Sequence, residues 1–513
     1  MAAAIACITT HSPSRAAYHG FGIVALSRRP DNTHSRLTDR QRVFAEYGGQ
    51  VAVTPQNLDT KLRQYGNAVD MLRRSTATPD AVPIQAEFTN WRDEQEAWRT
   101  SAALFDQSHH MTDLHVEGPD VIRLLSALGV NSFKNFGCNR AKQLVVCNPD
   151  GFVIADGLLL GLESERVSIV GRPSMANWVE FHARTGGYDV AVHRDDHTSR
   201  NPLGRRVYRF EMQGPNVLDI LEKVNGGPLP AIQFFHLAEM AIAGRRVRAL
   251  RRRGMCGAAG IEIWGPMAEG PAVLDELMTA GAEFGLKRCG ARAQSTFATE
   301  SGWIASPLPA IYSGLTMKAY REWLSADSFE ATASLGGSYS SKRIQDYYLT
   351  PWDLGYGHFV KLDHDFIGRD ALAACANQPH RRKVSLSWDS DDILRVFESM
   401  LGEGDRAKYM EMPAACYTTF AYDTVLKDGR SVGISTYLVY TSNGREWIST
   451  AIVDEEVAQP GTEVGVLWGE SDGGAAKSNI EAHVQMPIHA IVVPSPYSDR
   501  AGEPYRPYAF AGI

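Results

Sequence analysis

The feature that most constrains the fold is a change of sequence texture near Arg381. Before it, apolar residues at helical spacing, as from Leu58 to Leu72, are mixed with short strand-like runs such as Met111 to Val116. After it, strand-like runs dominate, and turn dipeptides of the Asp-Gly and Asn-Gly type separate them. The sequence therefore predicts an α+β region over 51–380 and a C-terminal β-barrel or sandwich domain over 381–513.

Two helices can be placed from local signals. One is expected from Trp91 to Ala103, because Asn90 is a suitable N-cap and Glu94 lies where the helix dipole favours an acid. The other, near Asp391 to Tyr409, would interrupt the C-terminal strands. Residues 1–50 show no sustained amphipathic period, so we expect a disordered extension there. The first thirty of them contain arginines but no acidic residue, a composition that is also typical of transit peptides.

The charge balance and the cysteines exclude several classes of protein. The chain carries 52 Lys+Arg against 59 Asp+Glu, a net charge of −7, which argues against a surface for nucleic acid or acidic membranes. Its 7 cysteines are scattered without a C-x-x-C pair, so neither a disulfide framework nor a zinc site is indicated. No apolar run reaches the length of a membrane-spanning helix. These features predict a cytoplasmic protein that binds no metal.

Familiar catalytic motifs are missing as well. The chain has no glycine-rich dinucleotide or phosphate loop, no H-E-x-x-H and no G-x-S-x-G. Any chemistry must therefore rest on scattered polar residues that meet in a pocket.

A polar loop between a predicted helix and strand, residues 106–110, offers the first candidates. His110 could exchange a proton with a phenolic oxygen, since an unperturbed imidazole titrates near neutral pH. A structural histidine bonded to the backbone is the competing interpretation.

Arg172 follows a short strand that ends at Gly171. Its planar fork of donors could bind a carboxylate in two places, whereas a surface ion pair is the ordinary alternative.

Glu262 shares one face of an alternating strand with Trp264. A buried carboxylate needs donors, which the N–H and amino groups of a pterin ring would supply. The alternative is an ion pair with the basic cluster formed by Arg245, Arg246, Arg248, Arg251, Arg252 and Arg253.

Several segments together resemble the aminomethyltransferase-like, folate-binding family. The likeness covers roughly Asn67 to Tyr497, and the runs around Trp303 and Trp468 are similar to its tetrahydrofolate-dependent aromatic O-demethylase branch, which acts on vanillate, 3-O-methylgallate and syringate. The matching runs include Glu87-Phe88-Thr89-Asn90-Trp91-Arg92, Gln213-Gly214-Pro215, Glu300-Ser301-Gly302-Trp303-Ile304 and Phe366-Ile367-Gly368-Arg369-Asp370.

The resemblance implies a ring of two α+β lobes around a central folate channel, with a C-terminal barrel. It implies transfer of a methyl group from a methoxylated aromatic acid to N5 of tetrahydrofolate, with no metal. The residues implied for folate are Val170, Gln213, Glu262 and Trp303. Those implied for the aromatic substrate are Gln107, His110 and Arg172, with His110 serving the leaving oxygen as the catalytic residue.

One position departs from the branch. Where vanillate demethylases carry a tyrosine shortly before the Glu-Ser-Gly-Trp run, this chain has Gln294, which donates a hydrogen bond but transfers no proton at neutral pH. Gln294 is therefore expected in the substrate pocket, and the identity of the aromatic acid stays open. Two alternatives remain: another folate-dependent aminomethyl, N-methyl or S-methyl transferase, and a folate-binding protein without activity.

Overall fold

The computed structural model describes residues 55–253, 259–305 and 307–497. Within these ranges, helices and strands are mixed up to Cys375, and a closed barrel of strands begins at Arg382, so the predicted α+β region and C-terminal barrel are confirmed. All described residues belong to one contact unit, and the boundary placed at residue 380 stays a prediction. The extension expected over residues 1–50 lies outside the described ranges.

The α+β region supplies most of the secondary structure. Its strands are β1 (Ala102–Asp106), β2 (Thr112–Glu117), β3 (Ala141–Cys147), β4 (Val153–Glu163), β5 (Arg166–Gly171), β6 (Ala191–Asp195), β7 (Val207–Gln213), β8 (Leu237–Ile242), β9 (Arg245–Arg253), β10 (Ala259–Pro266), β11 (Leu286–Cys289) and β12 (Leu335–Gly336). Its helices are α1 (Leu58–Tyr65), α2 (Ala68–Arg74), α3 (Trp91–Thr100), α4 (Val121–Leu128), α5 (Pro173–Thr185), α6 (Val217–Asn225), α7 (Gly270–Gly281), α8 (Ala291–Gln294), α9 (Phe297–Glu300), α10 (Lys318–Trp323), α11 (Phe329–Thr332) and α12 (Arg369–Cys375).

Two sheets organise this region. One has the strand order β11-β1-β7-β10-β9-β8 and the other β3-β4-β5-β2-β6. An apolar cluster joins them, because Leu158 and Val170 of the second sheet pack with Leu250 and Trp264 of the first. Helix α5 packs on the second sheet, and α6 and α7 pack on the first. The loop from β1 to β2 crosses from one sheet to the other, which brings its polar residues to their junction.

Helix α3 corresponds to the helix that the sequence predicts from Trp91 to Ala103. Asn90 caps it by accepting a hydrogen bond from the backbone N–H of Asp93 at 3.1 Å, as predicted. The helix ends at Thr100, three residues before the expected end, because β1 begins at Ala102 and pairs with β7 and β11.

The C-terminal region forms a closed barrel with the order β13-β17-β16-β15-β18-β19. Side chains of β13 alternate, so Val384, Leu386 and Trp388 enter the barrel core while Lys383 faces the other way. The expected helical insert is present but shorter than predicted, as α13. The elements are β13 (Arg382–Trp388), α13 (Ser390–Glu398), β14 (Phe420–Ala421), β15 (Asp423–Lys427), β16 (Arg430–Thr441), β17 (Glu446–Val453), β18 (Glu463–Trp468) and β19 (Met486–Val493).

Two kinds of feature are absent from the described ranges. None of their helices combines the length and the apolarity that crossing a membrane requires. Nor do these ranges contain a group of three His, Cys, Asp or Glu side chains arranged to hold a metal ion.

Candidate functional site

A cavity of about 720 Å³ opens where the two sheets meet, and it reaches the first strand of the barrel. Five of the residues implied for folate or substrate line it: Gln107, Val170, Arg172, Glu262 and Trp303. The charged residues of its wall are Lys142, Asp156, Arg172, Arg209, Glu211, Arg252, Glu262 and Lys383. This volume suits a drug-sized ligand, for which pockets of about 300–1,000 Å³ are usual.

Asp156 of β4 is a buried acid of this wall that accepts hydrogen bonds from three separate segments. Its Oδ2 accepts hydrogen bonds from Gln143 Nε2 at 2.7 Å, Tyr356 Oη at 2.8 Å and Trp303 Nε1 at 3.3 Å. Burial raises the pKa of Asp156, and the hydrogen bonds from Tyr356, Trp303 and Gln143 oppose that rise. We call these four residues the Asp156 cluster. Its three donors favour the ionised carboxylate, whereas burial favours the neutral carboxyl group.

Glu262 lies on the cavity wall with both carboxylate oxygens engaged. Arg209 donates to Oε1, and Arg252 donates to Oε2 at 2.8 Å. Arg209 also donates to Asp113 Oδ1 at 2.7 Å, so a chain of buried charges runs behind the cavity. The ion pair with Arg252, weighed above as the alternative to pterin binding, is therefore present. A carboxylate oxygen accepts more than one hydrogen bond, so this pairing leaves room for a ligand donor.

Gln213 is fully buried and is not among the residues that line the cavity. Its Nε2 donates to Glu211 Oε1 at 2.8 Å, and Glu211 does line the cavity. The structure therefore joins Gln213 to a carboxylate of the cavity wall, and its predicted role in folate binding stays a prediction.

Arg172 and Gln107 lie on the cavity wall without partners for their side chains. Neither the guanidinium of Arg172 nor the Nε2 of Gln107 makes a hydrogen bond or ion pair to any residue within the described ranges. Because buried polar groups are almost always paired, such groups point to a ligand that would complete them. A guanidinium and an amide suit a carboxylate and a neighbouring oxygen.

His110 is close to Arg172 but is not among the lining residues. Burial, followed by the positive charge of Arg172, lowers the pKa of His110 to about 3. The imidazole is therefore neutral at ordinary pH, and its predicted role reduces to donating or accepting a hydrogen bond. Neither ring nitrogen has a partner in the part of the chain that the structure describes, and Nδ1 is fully enclosed.

Gln294 ends the short helix α8 and is buried. It is not among the lining residues, and its Oε1 is enclosed without a hydrogen-bond partner among the described residues. All four residues predicted for the aromatic substrate thus share one property, an unused hydrogen-bonding group.

The C-terminal region also reaches this part of the molecule. Burial raises the pKa of Cys416 to about 11, and it raises the pKa of Tyr437 as well, while the charge of Arg172 opposes both changes. Tyr437 has a φ of 56° at a register shift of β16, a backbone conformation that is costly for an aromatic residue.

Comparisons with known proteins agree with this architecture. The GCVT N-terminal domain model matches residues 63–307. Syringate O-demethylase of Sphingobium sp. (strain NBRC 103272 / SYK-6) is 46% identical over 445 residues, which are 86% of this chain and 96% of that protein. The chain belongs to the GCVT aminomethyltransferase family. The family resemblance stated from the sequence is therefore confirmed, together with its O-demethylase branch.

Other GCVT-family proteins are more distant. Sesamin methylene transferase of Sinomonas sp. (strain No.22) is 30% identical, over 69% of this chain and 78% of that protein. The crystal structure of glycine cleavage system aminomethyltransferase T from Bartonella henselae matches with a TM-score of 0.55 and 17% identity, over 83% of this chain and 95% of that one. This last likeness supports the fold alone.

Sequence reasoning missed several charged residues of this cavity, among them Asp156 and Lys383. The sequence contains a signal that could have identified Asp156, because this residue is a lone acid inside the apolar run of β4, which is buried from Val153 to Leu162. No such signal identifies Lys383, since it belongs to the run Arg381-Arg382-Lys383, which is typical of a solvated surface.

Proposed function

We propose that this protein is a tetrahydrofolate-dependent O-demethylase, which transfers the methyl group of a methoxylated aromatic acid to N5 of tetrahydrofolate and yields a phenol and 5-methyltetrahydrofolate. The observation that carries the proposal is the set of unused hydrogen-bonding groups on Gln107, His110, Arg172 and Gln294. They suit an aromatic acid, whose carboxylate needs a cation and whose ring oxygens need donors. The likeness to syringate O-demethylase, over 96% of that protein, supports the same substrate class.

The cavity also suits tetrahydrofolate. The Glu262 carboxylate and the Asp156 cluster present acceptors for the N–H groups of a pterin, and Val170 and Trp303 offer apolar contact to its rings. When bound, tetrahydrofolate supplies a nitrogen lone pair that accepts the methyl group as the carbon–oxygen bond of the ether breaks. Lys142 has no ion-pair partner in the described ranges and would suit the acidic tail of folate.

The chain's own residues would make this displacement possible. Arg172 would hold the ring carboxylate, so that the methyl group is fixed in line with its acceptor. His110 and Gln107 would place hydrogen bonds near the departing oxygen, and neutral His110 would do so without transferring a proton. Asp156 would take the proton that the accepting nitrogen loses and release it to solvent, and the phenolate oxygen would gain a proton from solvent, so the overall reaction is balanced.

We further infer a cytoplasmic location and a role in the catabolism of lignin-type aromatic methyl ethers. The net charge of −7 and the scattered thiols are consistent with the first inference. The second rests on the substrate class.

A donor panel tests the proposal. The protein is incubated with tetrahydrofolate and either methoxybenzoates (syringate, vanillate, 3-O-methylgallate) or N-methyl, S-methyl and aminomethyl donors, and 5-methyltetrahydrofolate is measured by chromatography. We expect product from at least one methoxybenzoate. Product from the other donors alone would identify a different transferase, and folate binding without product from any donor would identify an inactive binding protein.

A further inference from the structure

Lys383 is a cation that the barrel contributes to the cavity. It lies on β13, on the face opposite to Val384 and Leu386, and it is one of the lining residues. Its Nζ is 3.5 Å from the position that a Cβ on Gly355 would occupy, so the ammonium group lies against the segment that carries Tyr356.

Lys383 has no partner of its own. It makes no hydrogen bond or ion pair to a residue in the described ranges, whereas Lys408, a buried lysine of the C-terminal region, pairs with Glu470 at 2.7 Å. Burial lowers the pKa of Lys383 to about 8, and the negative charge of Asp156 opposes that change. A partly buried cation without a partner loses hydration that no counter-charge replaces, which points to a role at this wall.

Asp156 has one oxygen engaged and one free for a ligand. The three donors of the Asp156 cluster all reach Oδ2, and none of the described residues donates to Oδ1. Tyr356 and Trp303 are neutral donors. Two cations of the cavity wall lie near this carboxylate: Arg172, at the facing strand position, forms no ion pair with it, and Lys383 contributes the positive charge that favours its ionised form. His358 lines the same wall beyond Tyr356.

We propose that Lys383 is a positioning residue for Asp156, whose carboxylate it keeps ionised inside the cavity so that Oδ1 serves as the proton acceptor of methyl transfer. In that step the methyl carbon moves from the ether oxygen to the folate nitrogen, the electron pair of the broken bond stays on the oxygen, and the nitrogen's proton passes to Oδ1. This inference rests on the proposed function.

The test measures the ionisation of Asp156 directly. The ligand-free full chain is labelled with [¹³Cγ]aspartate, the Asp156 resonance is identified by its loss in Asp156→Asn, and its titration is followed by NMR. Removing an opposite charge from the cavity wall favours the neutral carboxyl group, so we expect Lys383→Met to raise the titration midpoint by about one pH unit. Lys383→Arg should leave it near the wild-type value.

Arg382→Met is the matched control. Arg382 precedes Lys383 on the same strand but forms an exposed ion pair with Glu455, so its loss should not move the Asp156 midpoint. Lys383→Gln replaces Lys383→Met if the latter does not fold. An unchanged midpoint in a folded Lys383 variant would overturn the inference.

The activity of the loaded enzyme is a second readout. In Lys383→Met, the pH midpoint of the acidic limb of the kcat profile should rise together with the titration midpoint of Asp156. If the wild-type protein forms no 5-methyltetrahydrofolate, the proposed function fails, while the NMR titration still decides whether Lys383 controls Asp156.

Discussion

Asp156 and Arg172 occupy facing positions on adjacent strands, yet they do not form an ion pair. Gly157 of β4 pairs with Gly171 of β5, and Asp156 and Arg172 each lie one residue beyond that pair. Both side chains line the cavity, but Asp156 is held by Gln143, Tyr356 and Trp303, whereas Arg172 lies near His110. The two opposite charges thus stay separate at neighbouring positions. This leaves the Asp156 carboxylate free to accept a proton and the Arg172 guanidinium free to bind the carboxylate of a ligand.

Replacing Arg172 should weaken the binding of acids specifically. A charge-assisted hydrogen bond is worth about 1.5–3 kcal/mol, so Arg172→Met should raise the KM for the aromatic acid by about ten- to a hundredfold. Arg172→Lys should be intermediate, because a lysine cannot bind a carboxylate in two places. Steady-state kinetics with the acid and with its methyl ester make the comparison. An equal change in KM for acid and ester would rule out a carboxylate contact.

Glu262 should matter for stability as well as for binding. Glu262→Gln leaves Arg209 and Arg252 with a neutral partner in a buried site, and breaking such a pair costs about 3–5 kcal/mol. The matched control is Glu239→Gln, which breaks a 3.2 Å pair with Arg246 on the surface and should cost less than about 1 kcal/mol. Urea denaturation of both variants gives the free energies of unfolding. Similar losses in the two would contradict the buried network.

His110 should make the fold sensitive to acid. The pKa of His110 is lowered from 6.5 to about 3, so below pH 6.5 the unfolded chain takes up a proton that the folded protein does not. The free energy of unfolding therefore falls as the pH drops, by about 2–3 kcal/mol between pH 7 and pH 4.5 from this group.

Urea denaturation at the two pH values measures this loss. His110→Gln should lose about 2–3 kcal/mol less than the wild type on acidification, whereas His193→Gln, at a largely exposed position, should behave as the wild type does. Identical acid sensitivity in wild type and His110→Gln would show that His110 is not kept neutral.

Gln294 should control which aromatic acid is accepted. Gln294→Tyr adds volume and a phenolic hydroxyl at a buried position with an unused oxygen, so the ratio of kcat/KM between syringate and vanillate should change. Gln294→Leu, which has a similar size but no hydrogen-bonding group, separates volume from chemistry. A substrate profile that is the same in all three proteins would place Gln294 outside the pocket.

The sequence predicted correctly those features that depend on short stretches of chain, such as helix caps and strand residues of the cavity wall. Asn90 caps its helix as expected, and Val170, Arg172, Glu262 and Trp303 all line the cavity. These residues follow from strand alternation and from family runs, which local sequence retains.

What the sequence left out depends on tertiary packing. Lys383 reaches the cavity only because the barrel packs against the α+β region, and no local pattern in an arginine-rich run reports that contact. The neutral state of His110 follows from burial and from Arg172, which lies 62 positions along the chain.

The most direct test of the account follows the methyl group itself. A methoxybenzoate that turns over is prepared with a CD3 group on an ¹⁸O-labelled ether oxygen and is incubated with the protein and tetrahydrofolate, and both products are analysed by mass spectrometry. We expect 5-methyltetrahydrofolate that is three mass units heavier and a phenol that retains ¹⁸O. Loss of ¹⁸O from the phenol, or a demethylated product with unlabelled folate, would contradict methyl transfer in this cavity.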